Sequence, residues 1–329
     1  MSRLMRRRVH IAVLSDIHYA GPREQAEGDD YETRVIANPL LRFALRLYRE
    51  HIWLRYPLRQ NGQLDRFLAA VPQVDYVIAN GDYSCNTSAV GLSDDAAMES
   101  ARLCIGKLRG KFGERLRLNL GDHELGKLRL MGTRGGLRLK SWDRGLAELG
   151  IQPFWRLTLD NYVLFNCVST LIALPVFDHD MLPGERDAWL KLREQHFAEL
   201  RAAFAALQPN QRVLFFCHDP TALPFLARDE FIRPKLPQIE RTIIGHLHSN
   251  LYLRASRVLS GLPVIRFGGH SIRRMSTAVN EARRWKPFHV QLCPSLAGIE
   301  LLNDGGFLTI ELDSEANPPA RFEFHGLPR

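Results

Sequence analysis

The sequence predicts an α/β fold built in layers. Short apolar, β-branched runs recur along the chain, most of them followed by polar or glycine-rich turns, and stretches with helical periodicity lie between them. The length of 329 residues, with 45% hydrophobic and 24% charged residues, supplies ample material for a buried core.

In chain order, Val9–Leu14 is the first expected strand, followed by Val74–Ala79, Leu116–Leu120, Tyr162–Val168, Val213–Cys217 and Thr242–Ile244. Late strands are expected at Val264–Phe267 and Phe307–Leu312. Helical spacing appears over Pro39–Tyr56, Gly62–Val71, Asp94–Leu108, Ser141–Leu149 and Glu185–Leu207. No Pro/Gly/Ser-rich linker divides the chain, so 1–329 reads as one domain. Its expected insertions are an amphipathic helical one at 20–60 and a second at 125–154, and 249–329 is expected to complete the sheet with strands and a basic segment.

The balance of 44 Lys and Arg against 36 Asp and Glu gives a formal charge of +8, which attracts anions without selecting among them. Five scattered cysteines, Cys85, Cys104, Cys167, Cys217 and Cys293, form no CxxC pair and read as reduced thiols of a cytoplasmic protein. The apolar run behind the basic start is too short for a secretory signal, and no stretch approaches the roughly 20 apolar residues of a membrane span.

The chemistry lies in the residues just after the strands. Asp16-Ile17-His18 comes after the first, Gly81-Asp82 after the second and Gly121-Asp122-His123-Glu124 after the third. His218-Asp219 comes after the fifth and Gly245-His246-Leu247-His248 after the sixth. The carboxyl edge of an open α/β sheet is where ligand sites form. Five loops would therefore deliver aspartates and histidines to one place, and carboxylate oxygen and imidazole nitrogen suit Mn, Fe, Zn, Co or Ni. In Asp-x-His and His-x-His, residues two apart project to the same side. The glycines let the backbone approach the ions closely. Any one motif alone is a common turn; five in order, each after a strand, are a signal.

These five motifs, spread over about two-thirds of the chain, resemble the calcineurin-like metallophosphoesterase family. The resemblance implies a layered β-sandwich flanked by helices, with two divalent ions, Mn foremost, and metal-activated water that attacks a phosphoester or pyrophosphate bond. It implies that Asp16, His18 and His248 hold one ion, that Asp82 bridges, and that Asp122, His218 and His246 hold the second. His123 would face the substrate as the catalytic residue, with Glu124 orienting its ring. The sequence departs from the family at Asp122, where the family usually has Asn. The added negative charge should tighten metal binding and weaken the ions as electrophiles.

Pro39–Tyr56 combines a wide apolar face with a stripe of Arg42, Arg46, Arg49 and Glu50, which suits core packing, an anionic membrane surface or a greasy substrate slot. Arg266, Arg273 and Arg274, in a basic cluster after the last motif, are candidate grips on substrate phosphate. His270 and Asn86 are further candidates to approach the site. Within the family this combination looks like that of the UDP-diacylglucosamine pyrophosphatases, peripheral inner-membrane enzymes of lipid A synthesis acting on a lipid-linked nucleotide. The competing readings are a nucleotide phosphodiesterase, a nuclease and a non-catalytic binding scaffold. Nucleic acid is not expected, because the sequence has no zinc finger and no recognisable helix-turn-helix. A scaffold would have lost ligands that are all present here.

Overall fold

The computed structural model describes residues 8–28, 38–85, 91–126, 136–267, 270–313 and 318–328. Asn86, and parts of both expected insertions, lie outside them, and for His270 the backbone alone is described.

Two mixed five-stranded sheets form the centre. The first runs β10 (Arg321–Gly326), β9 (Gly306–Asp313), β1 (Arg8–Leu14), β2 (Tyr76–Ala79), β3 (Leu116–Leu118). In it β1, β2 and β3 are parallel, and β9 lies antiparallel to both β1 and β10. The second runs β4 (Arg156–Leu159), β5 (Tyr162–Cys167), β6 (Arg212–Cys217), β7 (Ile239–Ile244), β8 (Val290–Leu292). Here only β4 is antiparallel to its neighbour.

Alternation along the strands explains the layers. Val9, Ile11 and Val13 of β1 pack with Ile310 of β9 and with Leu164, Leu214 and Ile243 of the other sheet. Ala12 and Leu14, pointing the other way, join Val77, Phe67 and Ile105. The helices on that side are α3 (Asn61–Ala70) and α4 (Asp95–Phe112). The second sheet repeats the pattern. Tyr162 and Leu164 face the first sheet, whereas Phe165 meets Phe204 of the helix Arg186–Ala205 edge-on at 5.0 Å. The expected α/β layering is therefore observed, with helices on the outer face of each sheet.

The late chain differs from expectation. Val264–Phe267 is not a strand; Phe267 is 81% exposed, and the Ile265 amide donates to Ser276 rather than to a sheet neighbour. The place beside β7 is taken by Val290–Leu292 instead. Between them the chain forms α10 (Asn250–Val258) and α11 (His270–Glu281), so 249–329 completes both sheets only from Val290 onward. In the 20–60 segment, α2 (Pro39–Tyr48) is capped by the Asn38 side chain and continues into a π-turn at Arg49–Trp53. None of the residues of α2 is buried, so α2 itself does not pack into the core, Leu40 being 79% and Phe43 62% exposed, and within Pro39–Tyr56 Leu54 alone is buried. No helix among the described residues is long and apolar enough to cross a membrane.

Candidate metal centre

The five loops meet at the carboxyl ends of β1, β2, β3, β6 and β7. Backbone hydrogen bonds tie them together: the Asp16 amide donates to Gly81 at 3.1 Å, and the Gly245 amide to His218 at 3.0 Å. The His246 amide donates to both carboxylate oxygens of Asp16, at 3.0 and 3.1 Å, which joins the two sheets.

Asp82, Asp122, His218 and His246 form one group whose ligand atoms lie within 4.8 Å of one another, and Asp16, His18 and His248 form another. A third combination, His18, Asp82 and His123, meets the same limit, so Asp82 lies between the two groups. Each group could hold a metal ion. Nε2 of His218 is 3.0 Å from Asp82 Oδ2 and 3.0 Å from Asp122 Oδ1. Nδ1 of His246 is 2.9 Å from Asp122 Oδ1, and Nε2 of His248 is 3.3 Å from Asp16 Oδ1.

The orientation of the rings is fixed from behind. Nδ1–H of His218 donates to the Asn80 carbonyl at 2.6 Å, and Nδ1–H of His18 to the Ser84 carbonyl at 3.4 Å. Each ring thereby turns the lone pair of Nε2 inward, the tautomer a metal ligand requires. His18 Nε2, His218 Nε2 and Asp82 Oδ2 are buried with no hydrogen-bond partner among the described residues. Buried polar atoms seldom stand so. Acceptors pointing at one another call for a cation between them, so the donor set fits divalent metal.

Charge leads to the same place. Asp16, Asp82 and Asp122 are each no more than 1% exposed. Asp16 and Asp82 have only imidazole ion-pair partners among the described residues. Burial pushes the Asp16 carboxyl up to about 6. Burial also holds His18 down near 3 and His248 well below its ordinary value, so both stay neutral. His218 goes the other way: burial disfavours its charge, but the Asp82 and Asp122 carboxylates outweigh that and raise it. The carboxylates of the cluster thus favour positive charge at its centre.

The backbone is strained at the same residues. Asp16, His18, Asp82, His246 and His248 all have φ between 50° and 60°. They are five of the eight non-glycine residues with positive φ among those described, and each such conformation costs about 1–3 kcal/mol. A Cβ on Gly245 would stand 2.0 Å from Ser15 Oγ and 2.6 Å from Asp16 Oδ2, so only glycine allows this approach.

His123 lies at the rim, its ring 4.7 Å from that of His18 and its Nε2 3.9 Å from Asp82 Oδ2. Glu124 does not orient that ring. Its carboxylate accepts from the amides of Asp82 (2.9 Å), Tyr83 (2.8 Å) and Gly121 (2.7 Å), and so locks the second and third loops together. Burial, with Asp82 beside it, pushes Glu124 up to about 7. Asp219 caps the turn after His218 by accepting from the Thr221 amide at 2.8 Å and stands 3.9 Å from His246. The three arginines are placed elsewhere. Arg274 pairs with Asp180 at 2.9 Å and, with Arg273, lines a cavity beside Asp178 and His179. Arg266 lies on the exposed segment before Phe267.

Sequence reasoning missed the support beneath His218. Trp155 Nε1–H donates to Asn119 Oδ1 at 2.8 Å, and Asn119 Nδ2–H to Asn80 Oδ1 at 2.6 Å. Asn80 stands directly before one Gly-Asp motif and Asn119 one residue further from the other, each a polar residue where a core position is expected. Trp53, which the sequence offers as an interface or core residue of Pro39–Tyr56, has its ring 4.5 Å from that of His248.

No family model matches the chain, and no curated protein matches it. Among solved structures, the phosphopantetheinyl hydrolase of Mycobacterium tuberculosis is 15% identical with a TM-score of 0.34, over 72% of this chain and 82% of that one. The reading of the site therefore rests on its own geometry.

Proposed function

We propose that the protein is a metal-dependent hydrolase of phosphoester or pyrophosphate bonds, a calcineurin-like metallophosphoesterase in which Asp16, His18 and His248 hold one divalent ion, Asp122, His218 and His246 a second, and Asp82 reaches both. The observation that carries the reading is the pair of adjoining buried carboxylate–imidazole groups with Asp82 between them. Two such ions, Mn foremost, supply Lewis-acid charge for a phosphoryl group and lower the pKa of water. The chain's own part is to hold the donors rigid: Asn80 and Ser84 fix the imidazole tautomers, and Glu124 fixes the Asp82 loop. His123, with a side chain 16% exposed at the rim, would donate a proton to the leaving oxygen.

A lipid-linked nucleotide is the substrate we favour. Trp53 joins the apolar, exposed α2 directly to His248, and Tyr48 and Tyr252 bridge α2 to α10 through their hydroxyls at 3.0 Å. An acyl chain would lie along α2 while its phosphate reaches the metals, at the surface of an anionic membrane. The test is release of UMP from detergent-dispersed UDP-diacylglucosamine, with bis(p-nitrophenyl) phosphate as a substrate without acyl chains. Mn²⁺-dependent, EDTA-sensitive cleavage of both supports the whole reading. Cleavage of the simple diester alone retains the phosphoesterase and discards the lipid. Cleavage of neither by metal-loaded protein overturns the activity and favours a binding scaffold.

A further inference from the structure

A second cavity, of about 750 Å³, lies against the edge strand β8, between it, α10 and the turn 282–288. None of the metal-centre residues lines it. Its wall gathers Arg241, Arg257, Arg283, Lys286 and His289 around Trp285, and it contains no Asp or Glu. The nearest acids along the chain are engaged elsewhere: Glu240 pairs with Arg212 at 2.9 Å, and Glu281 with Arg228 and Arg284. Among the described residues none of the four Arg and Lys side chains has a carboxylate partner. Two of the guanidiniums are nevertheless anchored. Arg241 donates one N–H to the Glu240 carbonyl at 2.8 Å, and Arg257 one to the Val290 carbonyl at 2.6 Å. The remaining donors of both are held in place without being satisfied by protein acid.

We propose that this cavity is a second, non-catalytic site that binds a multiply charged phosphate anion. Anchored guanidinium forks match the paired oxygens of phosphate, and four like charges around one concavity create a potential that favours a polyanion. The volume falls within that of sites for nucleotide-sized ligands. Two sources present this chemistry, a free di- or triphosphate and the headgroups of an anionic bilayer.

The test uses EDTA-treated full-length protein, which leaves no metal ion to hold pyrophosphate at the metal centre. Binding of pyrophosphate is measured by calorimetry for the wild type, for Arg283→Ala/Lys286→Ala, and for Arg254→Ala, a basic residue of α10 outside the lining. Arg283 and Lys286 are exposed, so an unchanged melting temperature is expected of the double variant. We expect saturable binding that is about tenfold weaker in the double variant and unchanged in Arg254→Ala. Sedimentation with phosphatidylglycerol vesicles then distinguishes the sources. Vesicle binding that pyrophosphate displaces assigns the headgroup, and retained pyrophosphate binding without vesicle binding assigns the free anion. Absence of pyrophosphate binding, or binding that the double variant leaves intact, overturns the proposal.

Discussion

Replacing Asp16 by Asn should make the metal-free protein more stable while removing its response to metal. The Asp16 carboxyl is fully buried and is pushed by that burial from 3.8 to about 6. A shift of that size puts roughly 3 kcal/mol of strain on the ionised form. Linkage gives the sign. The folded state holds the proton more tightly than the unfolded one, so wild-type stability falls as pH rises above 3.8, and the loss is complete above about 6. Asn is neutral throughout, is nearly isosteric and can still accept from the His246 amide. The variant should therefore match the wild type near pH 4 and exceed it at pH 8 by about 3 kcal/mol, or about 4 °C in melting temperature for a chain of this size. Metal reverses the order. A single site filled at a thousandfold excess over its Kd adds about 4.1 kcal/mol to the wild type, more than that difference, whereas the variant has lost a ligand. Thermal melts at pH 4 and pH 8, each in EDTA and in Mn²⁺, give all four quantities. An EDTA-treated variant no more stable than the wild type at pH 8 would refute the argument that Asp16 is a strained carboxylate awaiting a cation. An undiminished response to Mn²⁺ would refute its place among the ligands.

His123→Ala should lower turnover by about 10²–10⁴-fold, the range of a lost general acid, with metal content unchanged by elemental analysis. Parallel loss of metal would instead make His123 a ligand, as its proximity to His18 and Asp82 permits. Asp122→Asn removes one buried charge from the group shared with His218 and His246, so Mn²⁺ affinity should fall while hydrolysis persists. A tighter metal site in that variant would contradict the charge argument. Gly245→Ala would force a Cβ to within 2.0 Å of Ser15 Oγ, an overpacking of about 1–3 kcal/mol. Its melting temperature should drop and its metal content with it; a wild-type melt would mean that the loop yields without cost.

Much of the fold was legible because periodicity reports burial. Val9–Leu14, Tyr162–Val168 and Val213–Cys217 are buried nearly throughout, and such runs announce themselves. Arg156–Leu159 and Arg321–Gly326 did not, since they are edge strands with exposed positions and no apolar run. Val264–Phe267 misled for the converse reason: it has the composition of a strand but lies exposed with no strand beside it. The ligand motifs were legible through their position after strands. The three arginines were not placeable, because a long basic side chain satisfies the same pattern whether it meets a substrate or, like Arg274, pairs with Asp180. Glu124 shows the limit within a motif: adjacency to His123 suggested a partner, and the helical turn instead aims the carboxylate at two amides of a neighbouring loop and one of its own.

The arrangement has a physical logic that links stability to activity. Left-handed backbone at five donors and carboxylates shut away from water all work against folding. What offsets them locally is rigid: the Glu124 clamp, the cross-sheet bonds from the His246 amide to Asp16, and the Trp155–Asn119–Asn80 chain behind His218. These bonds hold the donors against their own repulsion rather than relieving it. A cation is the one addition that relieves it, and the stiffness that makes the unliganded cluster costly is what keeps the donors from collapsing onto one another. Residues that lock the loops should therefore influence metal affinity more strongly than their distance from the donors suggests, since loosening them lets the strained side chains turn toward water.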